Sequence, residues 1–249
     1  MYLQIRGTNV RLLGSMHLFP APGAQMPSWA LQAYAWSECL IFESDPPTIL
    51  PFLKSTNGTV LANMLPTDVW TELQAAWPTN GRLPPLSEMR PWAALMVAPS
   101  LYQHLVEGVE PQFLRSANEQ SKSYRFLETA QEVVTAFESV ALAEIQTALN
   151  CIMSDSAEPQ RMLVRMYNAW QRRDIEALYK VAGRSPILSS SAIRSAVLES
   201  RNLAWVPSLL AAIESPKRTL VVIGALHLCG PSNLLECLGL PLDLVATLD

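Results

Sequence analysis

The stretch TLVVIGA at residues 219–225 constrains this chain more than any other. It is an unbroken apolar run, rich in β-branched side chains and free of charge. A run of that length bounded by turn residues is a strand buried on both faces, and such strands belong to parallel sheets covered by helices on either side. The run leads into VVIGALHLCG, where Gly224 and His227 stand three residues apart. Near the opposite end, RLLGSMHLFP sets Gly14 and His17 in the same relation, so two of the three histidines share one setting. The glycine permits a sharp exit from a strand and close approach of backbone to a neighbour. The imidazole then projects at the carboxyl edge of the sheet, where ligands gather in open α/β folds.

The remaining pattern extends this reading. Residues 2–5 and 9–14 predict a hairpin around Gly7, Thr8 and Asn9. CLIFE at 39–43, SYRFLE at 123–128 and LDLVATL at 242–248 read as further strands. Helices are predicted over 28–37 with Ser28 as cap, and from Thr67 and Asp68 onward. One over 91–106 kinks at Pro99, places His104 mid-helix in a structural or surface role and ends at Gly108. Further helices follow at 111–120, 130–149, 157–171, 174–182, 190–199, 202–214 and 231–238, the last with Pro231 in its first turn. The expected fold is α/β, with a mostly parallel or mixed central sheet flanked by helices. A single domain over 1–249 would carry a large helical insertion or cap at roughly 47–107 and 130–215.

Glu43 and Glu128 each close a predicted strand, as the two histidines follow theirs. Two imidazoles and two carboxylates from four strand ends suit a divalent ion such as Mn, Co or Zn. Glu43 is placed with His17 and His227 in the ligand set. The residue types leave open which carboxylate is ligand and which is general base. Arg201, in LESRN between two predicted helices, can hold a carboxylate or steady an oxyanion.

Composition narrows the partners. Charged residues are only 16% of the chain and the net charge is −4, with no basic patch, which argues against nucleic acid. Apolar residues at 49% can fill a sizeable core. No apolar stretch reaches the length of a membrane span. MYLQIRGTNV lacks a leader's apolar core, so a cytoplasmic protein is expected. The four cysteines form no CxxC pair and are expected as free, mostly buried thiols. A peptide or small molecule is the expected partner, and the sequence is silent on oligomeric state.

Taken together, LLGSMHLFP, IFES, the GVE..FLRSA......FLET run, LESRN and VVIGALHLCGPSNLLECLG resemble the TraB/GumN/Tiki family over nearly the whole chain. Its hallmark is a pair of GxxH motifs near the two ends of the domain. The resemblance implies a fold similar to that of erythromycin esterases and ChaN-type haem-binding proteins. It implies functional positions at His17, Glu43, Glu128, Arg201 and His227. It also implies either a metal-dependent peptidase, as in Tiki members that use Mn or Co, or a relation to TraB-type shut-off of peptide pheromones. A non-catalytic haem- or peptide-binding module and a metal-free esterase-like hydrolase are the alternatives. The sequence departs from the family after His227, where Asn233 replaces the second glycine of the usual turn.

Overall fold

Gly7, with φ of 77°, turns Tyr2–Ile5 (β1) back on Val10–Ser15 (β2), as the hairpin reading requires. The structure, a computed structural model, describes residues 1–55, 61–81 and 83–246. β2 pairs in parallel with Thr219–Gly224 (β7), with Val10 opposite Thr219 and Ser15 opposite Gly224. β7 also pairs in parallel with Cys39–Phe42 (β4), and β4 with Ser123–Phe126 (β6). Leu242–Leu244 (β8) closes the other edge, antiparallel to β1. The sheet is therefore mixed, in the order β6-β4-β7-β2-β1-β8. The strand expected over 242–248 is shorter, and its last residues, 247–249, lie outside the described residues.

β7 is buried along its full length, as its apolar run demands. Leu220 and Val222 point to one face, which packs on Trp29, Phe113 and Trp170. Val221 and Ile223 point to the other, which packs on Trp205 and Leu209 of the helix Ser200–Ile213. A third apolar cluster lies among the helices, around Leu73, Met89, Leu149 and Ile193. It includes much of the expected insertion. The helices Glu158–Gln171 and Ser200–Ile213 instead cover the sheet faces, since each turns large apolar side chains toward them.

Several predicted helices are revised. The one over 91–106 stops at Val97, tightens through Ala98–Tyr102 and gives way to a strand. Pro99 has no N–H to continue the α-helical ladder. That strand, Leu105–Glu107 (β5), pairs antiparallel with Leu18–Pro20 (β3), so His104 is an exposed link residue and not a helical one. Gly108 precedes the helix Val109–Glu119 instead of ending one. The helix over 130–149 is two, Ala130–Glu138 and Leu142–Ser154, because Ala141 is extended between them. Conversely, Ser191–Arg194, a π-turn at Ser195–Glu199 and Ser200–Ile213 run on without a break, which places Arg201 inside a helix. Ser28 begins its helix but does not cap it, Pro27 holding the cap position.

All four cysteines are free, but none is fully buried and Cys151 is exposed. Among the described residues no helix is long and apolar enough to cross a membrane.

Candidate functional site at the carboxyl ends of four parallel strands

The four parallel strands β2, β7, β4 and β6 end on one edge, and each is followed by one of the expected side chains: His17, His227, Glu43 and Glu128. The structure brings these together with Arg201. Glu43 stands at the centre. Its Oε1 lies 3.9 Å from His17 Nε2 and 3.7 Å from His227 Nε2, and it accepts a hydrogen bond from the Gly224 N–H. Its Oε2 accepts from Arg201 Nη2 at 3.0 Å.

Each imidazole has its other nitrogen committed elsewhere. His227 Nδ1 lies 2.7 Å from Asn202 Oδ1, while Asn202 Nδ2 donates to the Ser232 carbonyl at 2.9 Å. Because the amide nitrogen is used on Ser232, its oxygen faces the ring, so Nδ1 carries the hydrogen and Nε2 is left bare. His17 Nδ1 lies 3.0 Å from Glu110 Oε1, which also accepts from Ser15 Oγ. The second carboxylate oxygen of Glu110 is buried without a partner.

Arg201 ties the carboxylates together. It donates to both oxygens of Glu128 as well as to Glu43, and its Nη1 bonds the Val197 carbonyl at 2.9 Å. That carbonyl lies in the π-turn, a distortion often found at functional sites. Trp205 Nε1 donates to Glu128 Oε2 at 3.2 Å, and its ring lies 4.5 Å from that of His227. With two donors on it, Glu128 is a counter-ion for Arg201 and has little capacity left for other work.

Glu110 is the residue that the sequence reading missed. It sits in the first turn of Val109–Glu119, and that helix start is clamped to the first GxxH loop. Gly108 N–H donates to the His17 carbonyl at 3.0 Å and Val109 N–H to the Met16 carbonyl at 2.9 Å. A Cβ on Gly108 would lie 2.0 Å from Met16 O, so only glycine fits. The signal was the glycine that opens GVE, which marks a backbone contact as readily as a helix end. Asn233 in the altered turn is likewise accounted for: its Oδ1 accepts from Leu235 N–H and Glu236 N–H and caps Leu234–Leu238. The predicted helix over 231–238 is shortened to match, and Pro231 lies before it.

The two motif glycines serve each other's motif. A Cβ on Gly224 would stand 3.1 Å from His17 Nε2 and 3.1 Å from Glu43 Oε1. A Cβ on Gly14 would stand 3.1 Å from a Leu228 methyl and 3.2 Å from the Ala225 Cα.

The electrostatics separate the histidines. Facing Glu110, and secondarily Glu43, lifts His17 to about 9. Burial drives His227 down to about 3 despite Glu43. Burial alone would raise Glu43, but His227, His17, Arg201 and the Gly224 N–H together hold it at about 2. Burial raises Glu128 above the usual carboxylate value despite Arg201. Ligand atoms of His17, Glu43 and Glu110 lie within 4.8 Å of one another, a spacing open to a cation.

Comparison with known proteins gives matches over nearly the whole chain. The model of the TraB/PrgY/gumN family matches residues 3–239. The uncharacterized protein YbaP of Escherichia coli (strain K12) is 28% identical over 241 residues, covering 92% of this chain and 88% of that protein. YbaP of Shigella flexneri is also 28% identical, over 238 residues, covering 91% and 86%. No solved structure matches the chain.

Proposed function

This chain belongs to the TraB/PrgY/gumN family, and from that premise we propose that it is a metal-dependent hydrolase acting on a peptide or a related small molecule. The observation that carries the reading is the pair of Nε2 atoms facing one carboxylate oxygen, each ring having its Nδ1 held by another group. A second partner that fixes tautomer and ring orientation is the usual surrounding of a metal-ligating histidine.

The residues present fit a divalent cation. The bare Nε2 of His227 points at a carboxylate oxygen 3.7 Å away, two acceptors between which a cation would fit. Three carboxylates stand in the site with the single guanidinium of Arg201: Glu43 and Glu128 pair with it, and Glu110 faces His17. His17 and His227 through Nε2 and Glu43 through Oε1 would hold the ion, with Mn, Co and Zn all compatible with this donor set. When bound, such an ion supplies Lewis acidity at this point. Glu110 orients His17, and its unpartnered oxygen makes it the carboxylate free to take a proton. Arg201 neutralises Glu128 and steadies Glu43 beside the reacting group.

The test uses the full chain stripped by chelator and reloaded with Mn, Co or Zn, reading metal content and peptide hydrolysis. Reloading restores turnover, while His17→Ala and His227→Ala lose both ion and activity in folded protein. Unchanged metal content in both variants overturns the reading. A second, metal-free reading draws support from the Glu110–His17 contact, which resembles the carboxylate–imidazole pair of a general base. Because His17 keeps its proton up to about 9, that route turns over only at alkaline pH and ignores chelators.

A further inference from the structure

The His17–Glu43–His227 cluster adjoins, through His227, a cleft of about 520 Å³ that the proposed hydrolysis leaves unassigned. Arg201 and His227 form part of its wall. Its body is apolar, built from Met96, Ile152, Met162, Met166, Ile187 and Leu226. Open apolar clefts of this size on a folded chain mark ligand sites, and methionine walls adapt to varied shapes.

The charges along the cleft are unbalanced in one place. Asp155 and Glu158 are held by Arg161, with Glu158 also held by Arg165. Arg184, exposed in the same lining, has no acidic partner among the described residues. An unpaired guanidinium beside an apolar wall is suited to a carboxylate, which it grips in a planar, two-pronged geometry.

We propose that this cleft binds an apolar chain bearing a carboxylate, with the carboxylate at Arg184 and the apolar body against the methionine wall, and presents it to the His17–Glu43–His227 cluster. The proposal rests on the hydrolase reading for the chemistry after binding, but binding itself needs no turnover. Two sources share this chemistry: the carboxyl end of a short apolar peptide and a fatty acid.

Isothermal titration calorimetry on the metal-free full chain therefore tests it apart from catalysis. The probes are trileucine and its amide, dodecanoate and dodecanamide, and triserine. Trileucine or dodecanoate binds, the tighter one identifying the source, and triserine does not. The amide binds roughly tenfold more weakly than the acid, the scale of one charged hydrogen bond. Arg184→Ala erases the acid–amide difference and leaves the amide's affinity unchanged, since the side chain is exposed and outside the cluster. Met162→Gln weakens acid and amide alike. Triserine binding as tightly as the better-bound acid, no difference between that acid and its amide in the parent protein, a difference that survives Arg184→Ala, or no binding of any probe overturns the proposal. Loss of turnover with the binding pattern intact removes the hydrolase reading and leaves the cleft standing.

Discussion

The two GxxH motifs begin alike and end in opposite environments. His17 leaves most of its ring in solvent, with 60% of the side chain exposed, and has a carboxylate at Nδ1. His227 keeps 3% and has a neutral amide there, with Trp205 over its face. One keeps its proton to about 9 and the other sheds it by about 3. The motif sets a strand exit and a side-chain direction. The ring's chemistry is set by whichever distant segments arrive beside it: Val109–Glu119 for His17 and Ser200–Ile213 for His227.

Removing what both rings share does the most damage. Glu43→Gln abolishes divalent-ion binding in calorimetry while the protein stays folded; retained binding would place the ion elsewhere. Next are the partners that differ. Glu110→Gln and Asn202→Ala each lower ion affinity by about 10- to 100-fold, the usual cost of losing a ligand's supporting hydrogen bond. A loss confined to one variant would mean that only that ring is a ligand.

In the metal-free protein, pH pulls the two rings further apart. His227 has a lower pKa folded than its ordinary 6.5, so the unfolded chain binds more protons and stability is lost as pH falls from 6.5 toward 3. His17 has a higher pKa folded, so its contribution is complete below 6.5 and is lost as pH rises through about 9. Urea midpoints across this range therefore fall on both sides. His227→Gln flattens the acid limb between pH 6.5 and 3, and His17→Gln flattens the alkaline one. If either substitution flattened the opposite limb, the assigned protonation states would be reversed. Smallest is Gly14→Ala, which crowds Ala225 and Leu228 and costs about 1–3 kcal/mol of stability, read as a lower urea midpoint. Gly224→Ala crowds His17 and Glu43 instead, and shows in ion affinity more than in the unfolding midpoint.

Much of this was legible in the residues. The apolar run of β7 required a neighbour on each side, and β2 and β4 supply them in parallel. That pairing is why four strand ends carry His17, Glu43, Glu128 and His227 to one edge. Glu110 was not legible, because its place depends on main-chain bonds from Gly108 and Val109 to Met16 and His17, and backbone contacts leave no periodic trace. The break at Ala141 escaped for a related reason. Apolar spacing from Val133 to Leu149 reports which face is buried, and that face can continue across two helices as well as one. Arg201 was expected between helices, because the π-turn shifts the spacing by a residue without ending the helix.

β7 lies between β2 and β4, although it comes more than 170 residues after β4 in the sequence. During synthesis β2 and β4 therefore lack the strand that joins them in the finished sheet. It arrives only when residues 219–224 leave the ribosome. His227 and the Gly224 N–H arrive with that strand, so the sheet closes and the site assembles in a single late event. A chain cut short before that point has neither.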